Sequence, residues 1–132
     1  MKVSARNEEW LVVVEVAGEL DAATAPALRA ILDEQIHQGA RWLLVDLQAV
    51  DLIASVGVGE LIRSVNELNS LGGDLAVICR RPNVLRVFEI SGTGELLHVR
   101  QAEAEARAAL EQARQRQQSQ CARAGGEDHG QA

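Results

Sequence analysis

The chain has 132 residues, 47% of them hydrophobic, enough for one core and one domain. Its 19 acidic and 13 basic residues give a formal net charge of -6. The basic residues are scattered rather than striped along a face, and the aromatics are confined to Trp10, Trp42 and Phe88. Both the basic footprint and the stacking platforms of a nucleic-acid binder are therefore missing.

The elements follow in chain order. Trp10 to Ala17 is β-branched and almost continuously apolar, as suits a strand covered on both faces, and Gly18 is expected to stop it. Met1 to Arg6 can pair antiparallel with it across a turn at Asn7-Glu8-Glu9, giving an edge hairpin. Thr24 followed by Pro26 marks a helix start, Ala25, Leu28, Leu32 and Ile36 recur at helical spacing, and Gly39 marks the stop. Trp42 to Leu47 predicts a central strand, and Val50 to Ile53 leads from it to Ser55.

A second helix follows Ser55. Val58, Leu61, Ile62, Val65 and Leu68 fall on one helical face, and Gly72-Gly73 ends it. Asp74 to Cys79 reads as a third buried strand. A short helix carrying Val84, Val87 and Phe88 comes next, closed by Ser91-Gly92-Thr93-Gly94. A brief strand is expected from Leu96 to Val99, then a last helix marked by Ala102, Ala106, Leu110 and Ala113. From residue 115 the composition turns to Gln, Arg, Gly and Ala, so 1–114 is expected to be the domain and 115–132 a disordered polar tail. Strands alternating with helices predict a single α/β domain with a largely parallel or mixed sheet.

Sites of chemistry are few. Gly57 and Gly59 begin like a dinucleotide fingerprint, but Ile62 takes the third glycine position, and Gly92-Thr93-Gly94 fails in the same way at Leu97. His37, His98 and His129 lie far apart without metal-ligand spacing, and His37 reads as a helix surface residue. Cys79 reads as a small buried hydrophobe, and with Cys121 it forms no disulfide framework. No catalytic residue, metal site or cofactor is expected, and hence no enzyme. Met1 to Glu9 lacks a signal-peptide core, and no window approaches the about 18 apolar residues of a membrane span. A cytoplasmic protein without membrane insertion is expected.

Ser55 remains. A hydroxyl at a helix start either caps the first-turn N–H groups or accepts a phosphoryl group, whose charge the helix N-terminus favours. Leu52, Ile53, Val56 and Val58 surround it with apolar area, and Gly57 and Gly59 are expected to thin the first turn so that a partner backbone can approach.

Several motifs occur together in a fixed order: Gly18-Glu19-Leu20-Asp21, Ala23-Thr24-Ala25-Pro26-Ala27-Leu28, Leu44-Val45-Asp46-Leu47, Ser55-Val56-Gly57-Val58-Gly59 and Leu71-Gly72-Gly73. Between Val12 and Leu110 the chain thus resembles the STAS domain of bacterial anti-sigma factor antagonists. The resemblance implies a small mixed sheet of about four to five strands with helices packed on one side. It also implies partner switching. The unphosphorylated antagonist binds an anti-sigma factor with serine kinase activity, the kinase phosphorylates it at Ser55, and a serine phosphatase reverses the step. Partner contacts are then expected from Glu19, Leu20 and Asp21, and from Ile53, Ala54, Val56, Gly57, Val58 and Gly59.

Ala54 and Val56 stand where the family usually has an aspartate and a second hydroxyl, so Asp21 is a candidate for the missing carboxylate, or else a loop residue shaping the approach to Thr24. The alternative implied function is a STAS scaffold that is never phosphorylated, a subunit of a lipid-transport ATPase or of a signalling assembly. A second copy, in a homodimer, is among the partners open to either.

Overall fold

A computed structural model of the chain describes the backbone of residues 1–131 and the side chains of residues 1–117. The described residues form β1 (Lys2–Glu8), β2 (Leu11–Leu20), α1 (Ala25–His37), β3 (Trp42–Ile53), α2 (Ser55–Ser70), β4 (Asp74–Ile78), α3 (Pro82–Ser91), β5 (Val99–Arg100) and α4 (Glu103–Gln131). The sheet order is β1-β2-β3-β4-β5. β1 is antiparallel to β2, and the remaining neighbours are parallel. This is the single α/β domain with a mixed sheet that the sequence predicts.

The continuously apolar strands bury both faces. Val12, Val14 and Val16 of β2 and Leu43, Val45 and Leu47 of β3 join Leu28, Leu32, Leu61, Val65 and Phe88 of α1, α2 and α3 in one core. The alternate residues Leu11, Val13, Leu44, Ala76 and Ile78 meet Ala106 and Leu110 of α4 in another. The expectation of helices on one side is thereby corrected: α4 covers the opposite face, because that row of strand residues is as apolar as the first. Trp10 and Trp42 close the end of this second core edge to face, at 6.2 Å, with the Arg114 guanidinium 4.8 Å from the Trp10 ring centre.

Local differences from the sequence reading have backbone causes. Glu9 adopts φ 48°, so the hairpin turn is Glu9-Trp10, and β1 runs two residues further than expected. Gly18, at φ 105°, does not stop β2 but lets it continue to Leu20 through a register irregularity. In β3 the pairing slips twice, between Glu15/Ala17 and Gly18/Glu19 of its partner. Buried residues accordingly pass from Leu43, Val45 and Leu47 to Val50 and Ile53, and Trp42 to Ile53 is one strand rather than two pieces.

α1 buries the four residues its spacing selects. α2 buries Ser64 along with Val58, Leu61, Val65 and Leu68. Leu96 to His98 form turns instead of the expected strand, with His98 at φ 47°, so β5 is only Val99–Arg100. His98 is held there by Asp74 (Nε2 to Oδ2, 2.8 Å), and His37 is exposed as expected. Cys79 is fully buried. The expected division at residue 115 falls within α4; most of the tail beyond it, with His129 and Cys121, has side chains outside the described residues.

Candidate functional site

β2 and β3 run side by side to the pair Leu20 and Ile53. There the Ala54 N–H donates to the Leu20 carbonyl at 2.8 Å, and α2 begins with Ser55. The loop after β2 and the β3–α2 junction therefore share one end of the sheet. Ala54, in extended conformation (φ -96°, ψ 162°), occupies the N-cap position. Its carbonyl accepts the Gly57 N–H at 2.9 Å, but it brings no side-chain oxygen to the first turn. Ser55 is thus the first helical residue rather than the cap. Its side chain is exposed and makes no hydrogen bond among the described residues. The capping reading of Ser55 is overturned, because the hydroxyl sits one residue too late to reach the orphan N–H groups.

The two glycines behave differently. A Cβ on Gly57 would lie 2.6 Å from Leu20 Cγ and 3.3 Å from Ile53 Cγ1, so this glycine faces inward and packs the helix start onto the strand ends. A Cβ on Gly59 would meet nothing within 4 Å, and Gly59 is exposed. Gly59 alone fits the thin, approachable turn expected of both.

Of the residues expected at a partner surface, Glu19, Ser55, Val56 and Gly59 are exposed, and Asp21 and Ala54 are half-buried. Leu20, Ile53, Gly57 and Val58 are buried. These four, expected as contact residues, lie instead in the packed layer beneath the exposed ones, since an apolar side chain at a strand end or on the inner helix face is claimed by the core. Leu52 (47% exposed) and Val56 (42%) place apolar surface on both sides of the Ser55 hydroxyl in the sequence.

Asp21 is occupied locally. Its Oδ1 accepts the Ala23 and Thr24 N–H groups at 3.0 and 3.1 Å, and its carbonyl accepts the Ala25 N–H at 2.8 Å. Thr24, at the N-cap of α1, makes no side-chain cap bond. Its hydroxyl turns back to donate to the Glu19 carbonyl at 2.8 Å and accepts the Asp21 N–H at 2.9 Å. This network fixes the loop beside Ser55, and the loop-shaping reading of Asp21 describes these contacts.

Arg81, at the N-cap of α3, pairs with Asp51 at 3.2 Å, and the Asn83 side-chain amide donates to the Asp51 carbonyl at 2.7 Å. The start of α3 is thereby fastened near the end of β3, by residues too far apart in the chain for spacing to reveal. Arg63 of α2 binds Asp33 of α1 at 2.8 Å, a bond that raises the guanidinium pKa further. Among the described residues no group of three or more His, Cys, Asp or Glu side chains could hold a metal ion, and no helix is long and apolar enough to cross a membrane.

Residues 2–106 match the family model of the STAS domain. The chain belongs to the STAS domain family. This STAS chain is 29% identical over 99 residues to the anti-sigma-B factor antagonist of Staphylococcus aureus, across 75% of this chain and 92% of that protein. Its fold matches the crystal structure of an anti-sigma factor antagonist from Mycobacterium paratuberculosis with a TM-score of 0.77 and 26% identity, covering 83% of this chain and 93% of the other. It also matches the anti-sigma factor antagonist SpoIIAA in its unphosphorylated form, with a TM-score of 0.68 and 27% identity over 80% of this chain and 92% of the other. The Bacillus SpoIIAA structure in the phosphorylated form matches with a TM-score of 0.63 and 25% identity, over 82% of this chain and 98% of the other. Each of these relatives is matched over nearly its whole length.

Proposed function

We propose that this STAS protein is a non-enzymatic, cytoplasmic anti-sigma factor antagonist that works by partner switching at Ser55. The observation that carries the reading is the Ser55 hydroxyl, exposed and free of hydrogen bonds among the described residues at the first position of α2. Unphosphorylated, the protein docks an anti-sigma factor through Ser55, the exposed Leu52, Val56 and Gly59, and the Glu19 to Asp21 loop. The kinase activity of that anti-sigma factor transfers the γ-phosphoryl group of ATP to Ser55 Oγ, releasing ADP and the hydroxyl proton. The kinase brings the ATP and Mg²⁺.

The product carries about -1.5 to -2 of new charge. The α2 N-terminus tolerates that charge, so the domain stays folded. The docked partner does not tolerate it, because a charge set between apolar contacts at Leu52 and Val56 must be desolvated. A serine phosphatase restores binding by hydrolysing the phosphoester. The likeness to a protein known in unphosphorylated and phosphorylated forms supports this reading.

Incubation with ATP and the anti-sigma factor kinases of the same organism, followed by mapping of phosphate by mass spectrometry, tests it. Modification at Ser55, abolished in Ser55→Ala, is expected. No modification by any of those kinases, or modification that persists in Ser55→Ala, overturns it. Ala54 and Val56, which replace the family's usual aspartate and hydroxyl, favour a second reading in which the domain is an unphosphorylated scaffold of a transport ATPase or signalling assembly. Co-purification with a transport permease would select that reading.

A further inference from the structure

We propose that two copies of this chain associate through β1, forming a two-fold dimer with one sheet continuous across both. Among the described residues β1 lies at the end of the sheet and pairs only with β2, which leaves its outer edge open. The hairpin turn contains two residues, and Glu8 and Leu11 close it. In such a hairpin the closing pair exchanges both backbone hydrogen bonds, and bonded and non-bonded pairs then alternate. Lys2, Ser4, Arg6 and Glu8 therefore direct their N–H and C=O groups toward β2. Val3, Ala5 and Asn7 direct theirs outward.

A two-fold axis at Ala5 pairs all of these outward groups. Ala5 meets Ala5 of the second copy, and Val3 meets Asn7 of the second copy, each pair exchanging two hydrogen bonds. In the same register Lys2 stands across from Glu8 of the second copy, and Ser4 across from Arg6, in the closely spaced non-bonded positions where side chains interact most strongly. Opposite charges face each other only when the strand meets itself in reverse, where Lys2 joins the Arg6 and Arg107 guanidiniums that already pair with Glu8 at 2.6 and 2.5 Å. Lys2 has no ion-pair partner among the described residues.

Charged residues on an edge strand often guard against such pairing. Arg6 does not act this way here, since it is drawn back over its own sheet by Glu8 and Glu15. Ala5 and Asn7 are exposed and small or polar, leaving room for a second strand. Ser55 follows β3, two strands in from this edge, so the dimer presents both switch sites to partners. The interface rests on a seven-residue strand, and such a small contact implies weak, concentration-dependent association.

Sedimentation velocity and amide hydrogen exchange of the full chain, from micromolar to millimolar concentration, test the proposal. A concentration-dependent dimer is expected, with the Val3, Ala5 and Asn7 amides gaining protection as it forms. Ala5→Pro removes an N–H that the isolated fold does not use, so a monomer with unchanged thermal unfolding is expected. Lys2→Glu places like charges opposite at both ends and is expected to weaken the dimer about tenfold. A chain that stays monomeric throughout, a dimer whose Ala5 amide exchanges as fast as in the monomer, or a dimer unaffected by Lys2→Glu overturns the proposal. Exchange at Ala5 keeps the test decisive should Ala5→Pro fail to fold.

Discussion

A Cβ added to Gly57 would stand 2.6 Å from Leu20 Cγ, so the first turn of α2 is seated on the end of β2 with no room for one methyl group. The contact fixes where Ser55 is presented, two residues earlier in the same turn. Gly57→Ala is expected to cost about 1–3 kcal/mol, the usual range for overpacking a core. Gly59→Ala, with open space around it, is expected to stabilise by about 0.5–1 kcal/mol through helix propensity. Urea unfolding of the two variants measures the contrast, and equal effects would show that the packing contact is unimportant.

Ser55→Ala is expected to leave stability within about 0.5 kcal/mol of the parent, because no side-chain hydrogen bond is lost. Ser55→Asp places a negative charge in the first turn and is expected to stabilise by about 0.3–1 kcal/mol at low salt. The same substitution is expected to abolish capture of the anti-sigma factor in a pull-down. A loss of about 1 kcal/mol or more in Ser55→Ala would restore the capping role.

Ser64 is buried within α2, and its Oγ has no hydrogen-bond partner among the described residues. An unsatisfied buried hydroxyl is costly, so Ser64→Ala is expected to stabilise the domain by about 1 kcal/mol. The denaturation midpoint should rise without a change in the slope. Destabilisation instead would mean that the hydroxyl finds a partner in solution.

Burial pushes the Cys79 thiol up from 9.0 to about 11. The unfolded chain releases this proton at lower pH than the folded one does. Stability contributed by the neutral thiol is therefore full below pH 9.0 and falls as pH rises toward about 11. The chain has no tyrosine to titrate in this window. Thermal unfolding measured across it should show a decline in the parent that Cys79→Ala lacks. The thiol is also expected to resist alkylation at pH 8 until the domain opens.

The element order, the α1 and α2 core faces and the motif set that placed the chain in its family were legible in the sequence, because they depend on local periodicity and on short runs of specific residues. Leu28, Leu32, Leu61 and Val65 went into the core their spacing selects. What the sequence left undecided involved residues brought together from different elements. α4 covers the second sheet face because Leu11, Val13, Leu44, Ala76 and Ile78 converge there from three strands.

The same division runs through the site. Sequence alone singled out Ser55 and its neighbours, since a hydroxyl before an amphipathic run is a local pattern. Only the tertiary structure separated the exposed Val56 and Gly59 from the buried Leu20, Ile53, Gly57 and Val58, and moved the cap position to Ala54. The reason is physical: a helix start is set by where the strand before it ends. Ala54 is held at that point by the Leu20 carbonyl of a neighbouring strand, a bond that no spacing rule along the chain contains.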